Sequence, residues 1–292
     1  MPDRFVPEEI TLCGAARSFI AATSTESGEH IRPLHRYLGI RLVIEGGFLP
    51  EELSPSPPLK SECRDGAWYL SFDPSAQSTR EQIVLGALKS KRIDIVLAKE
   101  GIGPLLAISV KGTSKAFRNL VNRTEEAIGD CANIHIMYPG LVYGFVHFLR
   151  AAEATDRTLK PNDILLDEDG DVLPSVKDYA RILEGLGGRR LVRNDYARYE
   201  SVALAIVRTR GVEGEPSLFT GFPATPSPLS LDAFFIALYQ VYDLRFSYTY
   251  TDPGVRHLTR VMWHPDSAAL TPFHNRKLVR SSIDYLPRVS AT

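Results

Sequence analysis

The chain has 292 residues and a formal net charge of −1, enough length for one large α/β domain or two small ones around a sizeable core. That charge balance excludes a protein coated in positive charge, so any nucleic-acid contact must come from local patches. Cys13, Cys63 and Cys131 lie far apart without zinc-ligand spacing and read as free thiols, no leader-like segment opens the chain, and no apolar run reaches spanning length. The expectation is a cytoplasmic protein without membrane contact.

In chain order, residues 7–23 can form a first helix with Ile10, Leu12, Ala16, Phe19 and Ile20 on its apolar side. Residues 30–49 are apolar and ambiguous between helix and strand. His30 and His35 fall here and, with no third ligand nearby in sequence, read as surface or cap residues. The proline-rich run 50–58 ends the segment. Residues 68–72 read as a strand and 79–89 as a helix, with Glu81 in its first turn, where the helix dipole favours an acid.

Residues 92–97 and 105–111 alternate with period two, Ile93, Ile95 and Leu97 in the first run and Leu106, Ile108 and Val110 in the second, and a Gly/Pro turn separates them. Two neighbouring strands with in-phase pleats would put Asp94 on one face with Ser109 and Lys111. After Lys111 the period becomes 3.6: Ser114 is a helix cap, and Phe117, Leu120, Val121, Thr124, Ala127 and Ile128 form one stripe. Glu125 borders that stripe in line with Arg118 and Asn122 and can turn back toward Lys111, whereas Arg123 and Glu126 point to solvent.

Two carboxylates and an ammonium at one point are what phosphodiester hydrolysis needs. Carboxylate oxygens hold Mg²⁺, and a lysine can orient the attacking water or offset charge in the transition state. Asp94 and Glu125 are the expected metal ligands with the Val110 carbonyl as a further one, and Lys111 is the expected activator of water. Taken singly, each also has a structural reading: a turn aspartate, an edge lysine, a solvated glutamate.

These residues resemble the PD-(D/E)xK superfamily of restriction-endonuclease-like nucleases, with Ser109 at the place of the acidic residue before x-Lys. They are similar to a branch of type II restriction enzymes cutting CCGG- or CCNGG-type sites. There a Ser-x-Lys on the strand is followed, after thirteen residues, by a helix-borne glutamate; here Ser109-Val110-Lys111 is followed at that spacing by Glu125, within Arg123-Thr124-Glu125. The resemblance implies an α/β fold with a restriction-endonuclease-like central mixed β-sheet flanked by α-helices. It implies a single domain with a nuclease core near 75–210, Mg²⁺ as cofactor and double-stranded DNA as partner. It makes Ser109 the vacated acidic place of the catalytic set, and a homodimer or higher homo-oligomer follows from palindromic sites. Lys115, Arg118 and Asn122 become candidates for base or phosphate contacts, while Phe117, standing where the branch carries an acid, can contact only a methyl group or unstack a base. The same core also serves modification-dependent, repair, phage and RNA nucleases, and binding modules without chemistry.

Further along, 134–138 and 141–149 read as core strands, and His147 as a hydrogen-bonded core histidine. The run Leu165-Leu166-Asp167-Glu168-Asp169-Gly170-Asp171 reads as a solvated turn, its glycine too early for a calcium loop. Residues 175–186 suit a helix, and the arginines at 189, 190, 193 and 198 suit a phosphate-facing or solvated segment. Residues 201–210 read as a strand completing the sheet, 211–228 as a long loop, 230–242 as an aromatic-striped helix and 245–251 as a half-buried strand. The tail from Arg256 is the most basic part of the chain and suits a DNA-facing arm or a loosely packed surface.

Overall fold

The computed structural model describes residues 5–22, 28–113, 120–153, 164–193, 195–208, 215–224, 226–246, 258–274 and 283–291, without the side chains of 120–123. The architecture is mixed α/β. A six-stranded mixed sheet runs in the order β1 (Leu53–Ser54), β6 (Ile95–Lys99), β7 (Gly103–Thr113), β8 (Val142–Arg150), β9 (Ser201–Arg208), β10 (Ser217–Leu218). Two antiparallel hairpins stand apart from it: β2 (Leu59–Arg64) with β3 (Ala67–Phe72), and β4 (Gln82–Leu85) with β5 (Ser90–Ile93). Among the described residues no helix is long and apolar enough to cross a membrane.

β6 and β7 form an antiparallel pair around the Gly101–Gly103 turn, where both glycines take the positive φ that a side chain disfavours. From β7 to β9 the sheet is parallel, with β10 antiparallel at its edge: α3 (Leu120–Met137) connects β7 to β8, and α4 (Pro174–Leu186) connects β8 to β9. Both crossovers advance across the sheet in one direction, so right-handedness puts both helices on the same face. Under them lies one core, with Tyr143, Phe145, Val202, Leu204 and Ile206 of the sheet meeting Cys131, Ile134, Val176, Tyr179 and Leu183. The other face is covered by α1 (Leu12–Ala21), α2 (Arg32–Ile44) and α5 (Leu231–Phe246) over Ile95, Leu97, Ile108, Val110, Val146 and Ala205. Strands covered on both faces must be apolar at odd and even positions alike, which explains the unbroken apolar runs of β8 and β9. Gly144 lets α5 approach, because a Cβ there would stand 2.6 Å from the Phe234 ring.

Several expectations change. Residues 79–89 are not a helix but the approach to β4, its strand and the hairpin loop, because Val84 is buried while Ile83 and Leu85 are exposed, a period of two. Residues 134–137 are the last turn of α3, with Tyr138 just beyond it, rather than a strand: Ala127, Cys131 and Ile134 are buried at helical spacing and Ile136 and Met137 face out. Arg245 and Phe246 belong to α5, and the rest of the strand expected there, 247–251, lies outside the described residues. The ambiguous segment 30–49 resolves as α2, and the Asp167 turn is as expected, its Oδ1 accepting from the N–H groups of Asp169 and Asp171.

Arg189 is fully buried rather than phosphate-facing, donating to Glu200 Oε1 at 2.7 Å and to two backbone carbonyls. Arg245 also pairs with Glu200 at 2.6 Å, His135 Nε2 lies 3.4 Å away, and the Tyr143 N–H donates to Glu200 Oε2. Burial alone would raise the Glu200 pKa, but His135, Arg245 and the Tyr143 N–H outweigh it and hold the carboxyl below its ordinary value.

The described parts of the tail pack Leu258, Trp263, Ala269, Leu270 and Tyr285 into the core rather than standing free. Trp263 is fully buried, bridges Trp68 and Val289, and donates its indole N–H to the carbonyl of Val43 in α2. Arg260 is held by Asp243 and lies 4.8 Å over the Tyr239 ring. Of its cationic residues, Arg256, Arg276, Lys277 and Arg280 are outside the described residues.

Candidate metal centre

Asp94 occupies the bend where β5 ends and β6 begins. The break is a change of face: Ile93 is buried in the core under α3, and Ile95, two residues on, is buried in the opposite core. Asp94 thus leaves the pleat, and its Oδ2 accepts the N–H of Val110 on β7 at 2.7 Å. A residue's N–H and C=O project to the same edge of an extended strand, so the Val110 carbonyl lies on the edge that faces Asp94, where the sequence-based expectation would need it.

The β4–β5 hairpin brings Glu81 to the same place. Its ladder pairs Leu85 with Ser90 and Gln82 with Ile93, so the next positions outward, Glu81 and Asp94, stand opposite each other at the open end. α3 clamps the closed end of the hairpin. Asn133 Oδ1 accepts from the N–H groups of Leu88 and Lys89, its Nδ2 donates to the carbonyl of Lys89, and Lys91 pairs with Asp130. Ser54 Oγ donates to the carbonyl of Arg80 at 2.8 Å and fixes the strand entering β4.

α2 supplies the third group. His35 is 6% exposed; its Nδ1 lies 3.9 Å from Glu81 Oε1 and its Nε2 3.9 Å from Asp94 Oδ1. Ligand atoms of His35, Glu81 and Asp94 all fall within 4.8 Å of one another. Burial pushes the His35 pKa down to about 4, with Arg32 and Arg36 adding to the effect and Glu81 opposing it, so the imidazole is neutral at neutral pH. Burial raises the Asp94 carboxyl, while the Val110 N–H, Lys111 and Lys91 pull it down. Beside Glu81 opens a cleft of about 740 Å³ lined by Arg32, Arg80 and Arg92 together with Thr79 and Gln82. These arginines outnumber the acids lining the cleft, on a chain whose net charge is −1, with Arg32 paired to Glu29 and Arg92 3.9 Å from Glu81.

Of the residues expected from sequence, Asp94 and Lys111 are brought together. Lys111 is half-buried, lowers the Asp94 pKa by its charge, and reaches Glu126 Oε1 at 3.7 Å. Glu126 was expected to point away; Glu125 is exposed and lies outside the cluster that closes on Asp94. Ser109 is buried, and its hydroxyl is 2.8 Å from that of Tyr143, inside the core under α3. Asn122 lies on α3 with its side chain outside the described residues, as do Lys115 and Arg118 entirely. His147 is a core histidine as expected, bonded to Thr113 and Tyr179.

The sequence reading missed His35 and set Glu81 aside. Nothing local joins positions 35, 81 and 94: the hairpin register joins 81 to 94 and was readable by counting outward from the loop at 86–89, while the packing of α2 brings in His35. Compared with protein-family models, with curated proteins and with solved structures, the chain gives no match.

Proposed function

We propose that the chain is a metal-dependent nuclease of the restriction-endonuclease-like fold, hydrolysing phosphodiester bonds of double-stranded DNA in the manner of a type II restriction endonuclease. The observation that carries this reading is the setting of Asp94: a carboxylate fixed by the Val110 N–H, within the field of Lys111, and opposite Glu81 at the edge of an arginine-lined cleft. A strand hairpin followed by a helical crossover into a parallel strand agrees with the core that the Ser109-Val110-Lys111 resemblance implies.

Carboxylates suit Mg²⁺, and the paired acids at 81 and 94 fit a hard divalent cation. Such an ion supplies Lewis-acid polarisation of the phosphoryl oxygen and a bound water of lowered pKa. The chain's own groups do the rest. Asp94 and Glu81 hold negative charge at a fixed point. Lys111 orients the attacking water and offsets charge on the phosphoryl group. Arg32, Arg80 and Arg92 seat the flanking phosphates, which positions the duplex without reading its sequence. Glu125 enters this reading on its spacing from Lys111, and Lys115, Arg118 and Asn122 on their place after the strand lysine. Two chains about a two-fold axis would cut both strands of a palindrome, leaving 5′-phosphate ends.

The test is digestion of unmodified phage DNA with purified protein and a divalent cation, followed by sequencing of the ends. Discrete fragments are expected, and Lys111→Ala is expected to abolish them while DNA binding, measured by gel shift, stays within a few-fold. Unchanged cutting by Lys111→Ala, or no cutting by the native chain with any divalent cation, overturns the reading.

A further inference from the structure

The Nε2 of His35 is a buried polar atom with no hydrogen-bond partner. Its ring is 6% exposed, and the other buried polar side chains of the same helix, Tyr37 and Arg41, are hydrogen-bonded or ion-paired, to Asp284 and to Glu45, Asp232 and Asp284 respectively. Leaving such an atom unsatisfied costs on the order of 1–3 kcal/mol, so a native chain keeps it there for a reason. It is aimed at Asp94 Oδ1 at 3.9 Å, longer than a hydrogen bond. Two ligands at about 2.0–2.2 Å on one cation stand at most roughly 4.3 Å apart, so that gap has the width of a shared ion.

We propose that His35, Glu81 and Asp94 form a three-ligand site for a divalent transition-metal ion, which the chain binds in preference to Mg²⁺. The donor set carries the selectivity. Mg²⁺ takes oxygen ligands and water, whereas an imidazole nitrogen favours first-row transition metals, whose affinities for mixed nitrogen and oxygen sites rise from Mn²⁺ toward Cu²⁺. Three protein ligands leave open positions toward the cleft lined by Arg32, Arg80 and Arg92, where a phosphate oxygen can complete the coordination. The proposal deepens the nuclease reading by naming the ion and the ligand that selects it, but the site stands on its own geometry and can be tested without DNA.

Mn²⁺ is the probe. Titration of the intact chain followed by the electron paramagnetic resonance of free Mn²⁺ is expected to show one tight site per chain, with Mg²⁺ displacing Mn²⁺ only at more than tenfold excess. His35→Asn is expected to weaken Mn²⁺ at least tenfold while Mg²⁺ affinity changes less than threefold, and Glu81→Gln to weaken both. Circular dichroism checks that each variant is folded. In the native chain, Mn²⁺ at substoichiometric amounts should broaden the ring resonances of one of the seven histidines, that of His35, before the rest. Equal affinities for the two ions, an unaltered Mn²⁺ affinity in folded His35→Asn, or no selective broadening each overturn the proposal. Selective Mn²⁺ binding by a chain that cuts no DNA would support this site and remove the nuclease reading; cutting with unaltered metal selectivity in His35→Asn would do the reverse.

Discussion

Glu81 and Asp94 face each other across the open end of the β4–β5 hairpin, one position beyond the last paired residues, Gln82 and Ile93. Their meeting depends on a clamp at the other end, where Asn133 of α3 holds the loop at Leu88 and Lys89 by three hydrogen bonds. Asn133→Ala is therefore expected to cost about 1–3 kcal/mol of stability and to raise hydrogen exchange in β4 and β5 selectively. Metal affinity should fall with it although Asn133 touches no ligand. Uniform exchange across the chain would show that the hairpin does not depend on this clamp.

Adjacent glutamates on α3 make a sharp comparison. The resemblance implies a metal role for Glu125, which lies exposed and outside the cluster at Asp94, while Glu126 is the acid lying 3.7 Å from the lysine and half exposed. Glu125→Ala is expected to lose cleavage by two orders of magnitude or more, and Glu126→Ala to lose less than tenfold, since an exposed ion pair contributes only about 0–1 kcal/mol. Single-turnover cleavage rates decide it, and the opposite ranking would move the functional acid by one residue.

His35 also makes stability depend on pH. Its folded pKa near 4 lies below the ordinary value of 6.5, so between the two the unfolded chain binds a proton that the folded chain does not. Stability must then fall as pH drops through that window, by about 2 kcal/mol from pH 7 to pH 5. Asp94, raised by burial, works in the opposite direction, so the effect is read as a difference between chains that both keep Asp94. Urea unfolding at the two pH values should show His35→Asn losing about 2 kcal/mol less than the native chain. Equal losses would mean that the imidazole is not buried in its neutral form.

Glu200 is fully buried between Arg189, Arg245 and His135. Glu200→Gln removes the carboxylate and leaves its cationic partners in the interior, for an expected loss of about 3–5 kcal/mol. The denaturant midpoint measures it, and a loss below 1 kcal/mol would show that these cations find water or other partners.

Legibility in the sequence followed the kind of burial each element has. β7, β8 and β9 were readable because strands covered on both faces, such as Val142–Arg150, carry unbroken apolar runs between breakers. α3 was readable in its apolar stripe but not in its length, because its last turn, Ile134 to Met137, has the composition of a strand. The hairpin around residues 86–89 was hidden by a charged, lysine-rich segment that suits a helix, and with it went the pairing of Glu81 with Asp94. Asp94 and Lys111 could be named from adjacent strands of one register. His35 could not, since helix packing alone brings it to the sheet edge.

The closing stretch of the chain reaches back to its opening. Trp263 and the Arg288 N–H are bonded to carbonyls of Val43 and Ile44, at the end of the helix that carries His35. That helix is therefore tied at its C-terminal end to a segment 220 positions further along the chain. The place of the imidazole beside Glu81 and Asp94 thus rests in part on contacts made at the far end of its helix by residues distant in sequence.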